Sequence, residues 1–292
     1  MWKLWSTVAF YSLLFYAISV DASGHWDLYK TIHYLLPVRY SIYWFVTAYI
    51  GTYLLSPYLA RLAQNLNKRE YTSFICILTG MFVLYSFLKP EADPFKIDGG
   101  YTVLWFITLF YWGGYIRLSD IKASGFLQKR PFLIYFNACV ITFLSKKPMH
   151  YFFQYLGVPV KARSFYGFYM YNSPTILLAS IALFIFFLNL KINSDKIKNL
   201  IQYIAPSTFG VYLIHEHPFI RSQLWNHWIH VKSLASSPYF ILHFIITILG
   251  IFAICIMGPL SRPRSKILRV AVSRIILSSE ASKVKLVGNL VA

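Results

Sequence analysis

One segment of this chain concentrates side chains that could move a proton. It reads Ser207-Thr208-Phe209-Gly210-Val211-Tyr212-Leu213-Ile214-His215-Glu216-His217-Pro218, so two imidazoles and one carboxylate follow an apolar stretch. An imidazole beside a carboxylate is the pairing of general bases that take a proton from a hydroxyl. The spacing from Tyr212 to His215 predicts that both side chains share one helix face. We select His215, Glu216 and Tyr212 as candidate catalytic residues. The alternative is that the polar residues only mark where a helix leaves a bilayer.

Two arginines are further candidates. Arg163 lies in the aromatic stretch Arg163-Ser164-Phe165-Tyr166, where it and Tyr166 could hold a hydroxyl-rich or anionic substrate. The alternative is that the long side chain of Arg163 reaches to lipid headgroups. Arg221 follows Glu216 by five residues and could form an ion pair with it. The sequence contains no Gly-x-Ser-x-Gly or His-Glu-x-x-His motif, so these patterns identify no other site.

The composition indicates a membrane protein. Of the 292 residues, 57% are hydrophobic and only 13% are charged, whereas a soluble domain has about 25% charged residues. The three cysteines, Cys76, Cys139 and Cys255, lie far apart inside apolar runs, so we predict no disulfide and no metal site. A soluble enzyme, a disordered protein and a disulfide-rich domain are therefore excluded. We predict an all-α, polytopic transmembrane helical bundle.

Eight apolar runs approach the length of about 20 helical residues that a bilayer requires. They cover approximately residues 4–20, 41–60, 71–88, 101–116, 131–144, 173–190, 200–217 and 239–260. The fifth run is short for a full crossing, and it either continues into the aromatic residues that follow or re-enters the membrane. We predict about eight spans in a transmembrane domain of residues 1–260, followed by a basic cytoplasmic tail of residues 261–292.

Positive charge predicts how these spans are oriented. The net charge is +18, and the Lys and Arg residues cluster between the apolar runs. Cytoplasmic loops of membrane proteins carry an excess of such residues. We therefore predict a multi-pass protein of the plasma membrane with both termini in the cytoplasm, and the lipid bilayer, not nucleic acid, as the partner of the basic clusters. The clusters on the cytoplasmic side are Arg61, Lys68 and Arg69; Arg117, Lys122, Lys129 and Arg130; Lys191, Lys196 and Lys198; and the tail.

The predicted outer segments are long and aromatic. They cover approximately residues 21–40, 89–100, 145–172 and 218–238. Tyr and Trp at these positions commonly anchor helices at the membrane interface. The alternative is a binding surface for sugar rings, which stack on aromatic faces.

Four motifs, in order, resemble the integral-membrane acyltransferase family called acyltransferase 3. They are Tyr43-Trp44-Phe45-Val46-Thr47-Ala48-Tyr49 with Tyr53-Leu54-Leu55-Ser56-Pro57-Tyr58-Leu59, then Trp112-Gly113-Gly114-Tyr115-Ile116-Arg117, Tyr171-Asn172-Ser173-Pro174 and Tyr212-Leu213-Ile214-His215. The resemblance covers approximately residues 1–260. It implies a bundle that has about ten helices in the family. It also implies that the two spans which open the family's domain, with their Arg and His, are missing here.

The resemblance implies an acyltransferase that transfers groups other than aminoacyl groups. The acyl group, usually acetyl, would pass from acyl-CoA to a hydroxyl of a cell-surface polysaccharide or glycolipid, without a permanently bound cofactor. On the enzyme hypothesis we assign His215, Glu216 and Tyr212 to catalysis; Arg163, Tyr166, Trp44 and Tyr49 to the acceptor; and Arg117 and Lys122 to the phosphates of coenzyme A. The positive charge of cytoplasmic loops explains Arg117 and Lys122 equally well.

Two other functions stay open at this stage. The first is a transporter or flippase-like protein of a polysaccharide locus, and the second is a catalytically inert remnant of the family. Transporters often show repeated halves, or helices broken by Gly or Pro at matching positions. The sequence shows no internal repeat, which favours the enzyme.

Overall fold

The structure is a computed structural model, and it describes residues 2–88, 93–118, 126–157, 168–230 and 237–257. Within these residues the regular structure is helical and no strand occurs. The all-α prediction is therefore confirmed for the described part of the chain. The predicted tail, residues 261–292, lies outside it.

The helices follow the apolar runs of the sequence. In chain order they are α1 (Trp2–Ser23), α2 (Leu28–Leu35), α3 (Trp44–Asn65), α4 (Lys68–Leu88), α5 (Val103–Leu118), α6 (Pro131–Tyr155), α7 (Pro174–Asn189), α8 (Asp195–Ile204), α9 (Thr208–His215), α10 (Pro218–Ser222) and α11 (Phe240–Met257). A four-residue helix, Phe126–Lys129, precedes α6, and π-helical turns form Gly80–Tyr85 within α4 and Gln223–Trp228 after α10.

The chain divides into two compact units. Unit 1 combines residues 1–43 with residues 192–292, and unit 2 is the continuous stretch 44–191. The candidate catalytic residues belong to unit 1. Trp44, Tyr49 and Arg117 belong to unit 2.

In unit 1 the Tyr16 hydroxyl links α1 to the start of α2. The Tyr16 hydroxyl donates to the Asp27 carbonyl oxygen at 2.8 Å, and it accepts from the Thr31 hydroxyl at 3.2 Å. The Asp27 carboxylate in turn accepts from the backbone N–H groups of Tyr29 and Lys30, which begin α2. Such a cap supplies acceptors for the first N–H groups of a helix, which have no partner within it.

In unit 2 the helices α3, α4 and α5 pack through small residues and tyrosines. Gly51 of α3 lies against the Val103 side chain of α5. The Tyr71 hydroxyl of α4 donates to the Tyr111 carbonyl oxygen at 3.0 Å, and it lies directly against Gly114 of α5. Of the adjacent glycines Gly113 and Gly114, only Gly114 lies at this close approach, since Gly113 has open space around it.

A second set of contacts in unit 2 gathers the residues that precede α5 and α7. The buried side chain of Asn172 donates to the Phe82 carbonyl oxygen at 2.8 Å. Phe82 lies in the π-helical turn of α4, where the backbone departs from regular α-helical bonding. Around it, Val83, Ile97, Trp105 and Leu177 form a buried apolar cluster.

Two of the predicted spans differ from the helices observed. The run 200–217 is not one helix: α8 ends at Ile204, and a 3-10 turn, Ala205–Ser207, separates it from α9. Pro206 explains the break, because proline has no N–H to donate and crowds the preceding turn. The fifth run, 131–144, continues as α6 to Tyr155. The predicted outer segment 145–172 therefore begins inside a helix.

Length and apolarity together identify two helical stretches in the described residues that could cross a membrane. These are Leu4–Asp21 and Lys68–Leu88. Pro174–Asn189 and Phe240–Ile256 are apolar but shorter. The prediction of eight spans is thus not confirmed.

Candidate functional site

The candidate catalytic residues lie at the end of α9. This helix packs against α11 and contacts α1. The buried hydroxyl of Tyr43 donates to the Leu213 carbonyl oxygen at 2.9 Å. This bond satisfies one of the last carbonyl groups of α9, which have no partner inside the helix. It thereby fixes the turn that carries His215.

The backbone sets the tautomer of His215. The Nδ1 atom lies 2.7 Å from the carbonyl oxygen of Val211, four residues earlier. A carbonyl oxygen can only accept a hydrogen bond, so Nδ1 carries the proton and donates it. In the neutral ring Nε2 then holds the lone pair. His215 can therefore act as a base through Nε2.

Glu216 stands between His215 and Arg221. One carboxylate oxygen, Oε1, lies 3.8 Å from Nε2 of His215, and the other, Oε2, lies 3.4 Å from a guanidinium nitrogen of Arg221. The pairing of Arg221 with Glu216 is thus confirmed. The side chains of His215 and Glu216 are 29% and 26% exposed, so solvent or a substrate can reach them. Such accessible pairs contribute little to stability, but this one orients the carboxylate toward the imidazole.

Tyr212 lies on the same face of α9 as His215, as the spacing predicts. The two rings are 6.2 Å apart, edge to face. The Tyr212 ring is also 6.0 Å from Tyr43, and its hydroxyl oxygen is buried. Tyr212 therefore forms one wall beside the imidazole and is not a group projecting into solvent.

His217 differs from the other polar residues of its segment because it is fully buried. Its ring packs against Phe15 at 5.3 Å and Tyr34 at 5.2 Å. Nδ1 accepts from the backbone N–H of Phe219 and so caps α10. The ring approaches the backbone of Ser12, and Nε2 is buried. His217 therefore belongs to the core of unit 1, where the sequence indicated only a polar end of a helix.

Tyr34 supplies another polar group to this core. Burial raises the pKa of the Tyr34 hydroxyl, and the neighbouring phenol of Tyr16 raises it further. The Tyr34 and Tyr16 rings stack at 4.7 Å. The hydroxyl therefore stays neutral and places no negative charge beside His217. Sequence reasoning did not identify Tyr34 or Tyr43, although Tyr43 opens the first motif of the family resemblance.

The other candidate residues are dispersed. Trp44 begins α3 and contacts Tyr101 and Tyr171. Tyr49 lies further along α3, where its exposed ring stacks at 6.4 Å on Phe45, one turn away. Arg117 is exposed near the end of α5. Lys122, Arg163 and Tyr166 lie outside the described residues.

The described residues contain no cluster of three or more His, Cys, Asp or Glu side chains that could hold a metal ion. Among them, Cys76, Cys139 and Cys255 are free thiols. The chemistry available at the end of α9 is therefore that of an imidazole, a carboxylate and a guanidinium.

Comparison with known families identifies the chain. Residues 1–274 match the acyltransferase domain family Acyl_transf_3. The chain belongs to the acyltransferase 3 family. No curated protein and no solved structure gives a significant match. Membership confirms the family resemblance and indicates acyltransferase activity. Proteins of the acyltransferase 3 family are generally membrane proteins, in agreement with the apolar helices of this chain.

Proposed function

We propose that this protein is a membrane O-acyltransferase. It transfers an acyl group from acyl-CoA to a hydroxyl of a cell-surface polysaccharide or glycolipid. Acetyl is the acyl group that we propose. The observation that carries the proposal is the geometry of His215: its proton is committed to a backbone carbonyl, and Nε2 is left as a base beside a carboxylate. A base so placed is what the transfer of an acyl group to a hydroxyl requires.

In the proposed reaction Nε2 of His215 removes the proton of the acceptor hydroxyl. The acceptor oxygen then forms a bond to the thioester carbonyl carbon, and the carbon–sulfur bond breaks. The proton passes from the imidazolium to the departing thiolate, so coenzyme A leaves as a thiol and the ester remains on the acceptor. Glu216 stabilises the imidazolium that forms, because its Oε1 atom lies 3.8 Å from Nε2. Arg221 holds the opposite side of that carboxylate.

The substrate contacts in the proposal come from charge and ring chemistry. Arg117 and Lys122 are assigned to the phosphates of coenzyme A, since cations bind phosphate oxygens through charge-assisted hydrogen bonds. Arg163, Tyr166, Trp44 and Tyr49 are assigned to the acceptor. Acyl-CoA is the donor and is released as coenzyme A, so the proposal requires no resident cofactor.

The proposed topology supplies the donor to the membrane domain from the cytoplasm and the acceptor from the outer side of the plasma membrane. Both termini and the basic clusters are assigned to the cytoplasm, where acyl-CoA is made. The topology is tested with cysteines introduced at Ser194 and Ser236 in a chain that lacks its native cysteines. Ser236 lies outside the described residues. A membrane-impermeant thiol reagent added to intact cells should label position 236 and not position 194. Equal labelling of both positions would contradict the topology.

The activity is tested with the full chain in a strain that lacks its own surface O-acetylation, by measuring ester-linked acetate on the envelope polysaccharide. We expect acetate with the natural chain, and a loss of about 10²–10⁴-fold in His215→Ala, the contribution usual for a general base. His243→Ala is the control, because His243 is an exposed histidine on α11 of the same unit. Undiminished acetylation in His215→Ala would show that His215 is not the base.

A further inference from the structure

Three aromatic rings from separate parts of unit 2 meet at one place. Trp44 begins α3, Tyr101 lies two residues before α5, and Tyr171 lies three residues before α7. The ring centres of Trp44 and Tyr101 are 4.4 Å apart, those of Trp44 and Tyr171 5.2 Å, and those of Tyr101 and Tyr171 5.1 Å. Each ring therefore contacts both others. We call these three residues the aromatic triad.

Backbone contacts hold the residues around the triad in place. Gly100 has φ +99°, and a Cβ atom there would lie 2.6 Å from Cβ of Tyr171. Only glycine allows this approach. Asn172 binds the Phe82 carbonyl oxygen next to Tyr171. On the other side, the Asp93 carboxylate accepts from the backbone N–H groups of Ile97 and Asp98, each at 2.9 Å.

The triad is fixed but not covered. Tyr101 is 42% exposed and Tyr171 is 45% exposed, while Trp44 is half-buried. Asp98, three residues before Tyr101, is also exposed. Its backbone has φ +48°, a conformation that costs energy in a residue other than glycine and that is common where a loop is shaped for binding. Rigid aromatic rings with a nearby polar acceptor are features of small-molecule sites.

We propose that the aromatic triad, together with Asp98, binds a neutral pyranose ring of the acceptor; the inference rests on the proposed function. The carbon-bound hydrogens on one side of a pyranose carry partial positive charge, and they pack against the negative face of an aromatic ring. The hydroxyl groups at the edge of the sugar donate hydrogen bonds, which a carboxylate accepts. Tyr101 and Tyr171 supply the ring surface, and Asp98 supplies the acceptor.

The main competing role, anchoring in lipid headgroups, fits these residues less well. Tyr and Trp anchor helices at both membrane interfaces, and neighbouring Lys and Arg add attraction to anionic headgroups. The described link before α5 carries two carboxylates, Asp93 and Asp98, against the single cation Lys96. An exposed carboxylate is repelled by an anionic surface but not by a neutral sugar. The charge of the link therefore favours a sugar.

The proposal is tested by saturation-transfer NMR on the full chain in nanodiscs free of glycolipid. The probes are methyl β-glucoside and methyl β-galactoside, and open-chain sorbitol is the control because it has hydroxyls but no ring face. We expect saturation of at least one glycoside and not of sorbitol. Tyr171→Ala should weaken its apparent affinity by about tenfold, which corresponds to about 1.4 kcal/mol. Alanine keeps the Cβ atom that packs against Gly100.

Matched variants separate stacking from general damage. Tyr171→Phe keeps the ring and should retain binding, and Tyr101→Ala should weaken binding as Tyr171→Ala does. Tyr58→Ala removes an exposed tyrosine elsewhere in unit 2 and should bind as the natural chain does. Equal binding by Tyr171→Ala and the natural chain would overturn the proposal, as would equal saturation of sorbitol and the glycosides.

A spin label distinguishes the lipid role. With a nitroxide at position 171, collisions with a water-soluble nickel complex should exceed those with oxygen. The reverse result would place the triad in lipid and overturn the proposal. The binding measurement uses no acyl donor, so sugar binding can fail while His215-dependent acetylation persists. Sugar binding can also persist in a chain that transfers no acyl group. The sugar-binding proposal and the acyltransferase proposal can therefore fail separately.

Discussion

Nε2 of His215 and Oε1 of Glu216 lie 3.8 Å apart, although the two side chains are consecutive in the chain and leave a regular helix about 100° apart. The helix ends between them: α9 stops at His215, and Glu216 is its C-terminal cap. Glu216 can turn its carboxylate toward the imidazole because Arg221 of α10 holds the other oxygen. Arg221 thus helps to hold the carboxylate beside the imidazole.

From this pair we expect Glu216→Gln to lower the turnover number by about tenfold, because the amide no longer stabilises the imidazolium across a partly solvated gap. The measurement is the rate of acetyl transfer at saturating acetyl-CoA. Asp195→Asn is the matched control, since Asp195 forms an exposed ion pair with Lys198 in the same unit. A Glu216→Gln chain as active as the control would remove Glu216 from the mechanism.

Alanine substitutions at the adjacent residues Gly113 and Gly114 should have opposite effects on stability. A Cβ atom at position 114 would collide with the Tyr71 hydroxyl, which is bonded to the Tyr111 carbonyl oxygen. We expect Gly114→Ala to lower the free energy of unfolding by about 1–3 kcal/mol. Position 113 has open space, so Gly113→Ala should be neutral or stabilising. Thermal unfolding in detergent compares them, and equal melting temperatures would contradict the packing of α4 on α5.

Asn172→Ala should destabilise unit 2, because it leaves the buried Phe82 carbonyl oxygen without the 2.8 Å bond that it accepts. The expected loss is about 1–3 kcal/mol. Ser56→Ala removes an exposed side-chain bond to a helix carbonyl and is the control. The melting temperature should fall only in the first variant. An unchanged value would mean that the π-helical turn does not depend on Asn172.

Tyr43→Phe tests the placement of α9. It removes the buried bond to the Leu213 carbonyl oxygen and keeps the ring. We expect a loss of about 1 kcal/mol of stability and a lower turnover number, because His215 follows Leu213 by two residues. Tyr58→Phe, at an exposed position, is the control. If Tyr43→Phe lowers stability but leaves turnover unchanged, the bond is structural only and does not position His215.

Most helix positions could be predicted from the sequence. A long apolar run in a membrane must satisfy its backbone hydrogen bonds internally, and a helix does so. The ends of the helices were harder to predict than their positions. The fifth apolar run ends just before Lys146 and Lys147, yet both lie exposed within α6. Charged side chains on an exposed face do not interrupt backbone hydrogen bonds. Pro206 does interrupt them, and the run that contains it is divided.

The candidate site was predictable only where its residues are near in sequence. His215, Glu216 and Arg221 lie within seven residues, so helix spacing and charge suffice to group them. The aromatic triad joins residues from three distant segments, and no local pattern pairs Trp44 with Tyr171. The burial of His217 likewise depends on Phe15 and Tyr34, which only the folded chain brings to it.

Unit 1 is interrupted in sequence by unit 2, and this sets an order for folding during synthesis. The bond from Tyr16 to Asp27 spans 11 residues and can form early, whereas the bond from Tyr43 to Leu213 spans 170 residues. Residues 44–191 leave the ribosome as one stretch and can complete their own core first. The first two helices must wait for α9, since contacts distant in sequence close late. The end of α9, with His215 and Glu216, is therefore among the last parts of the chain to be assembled.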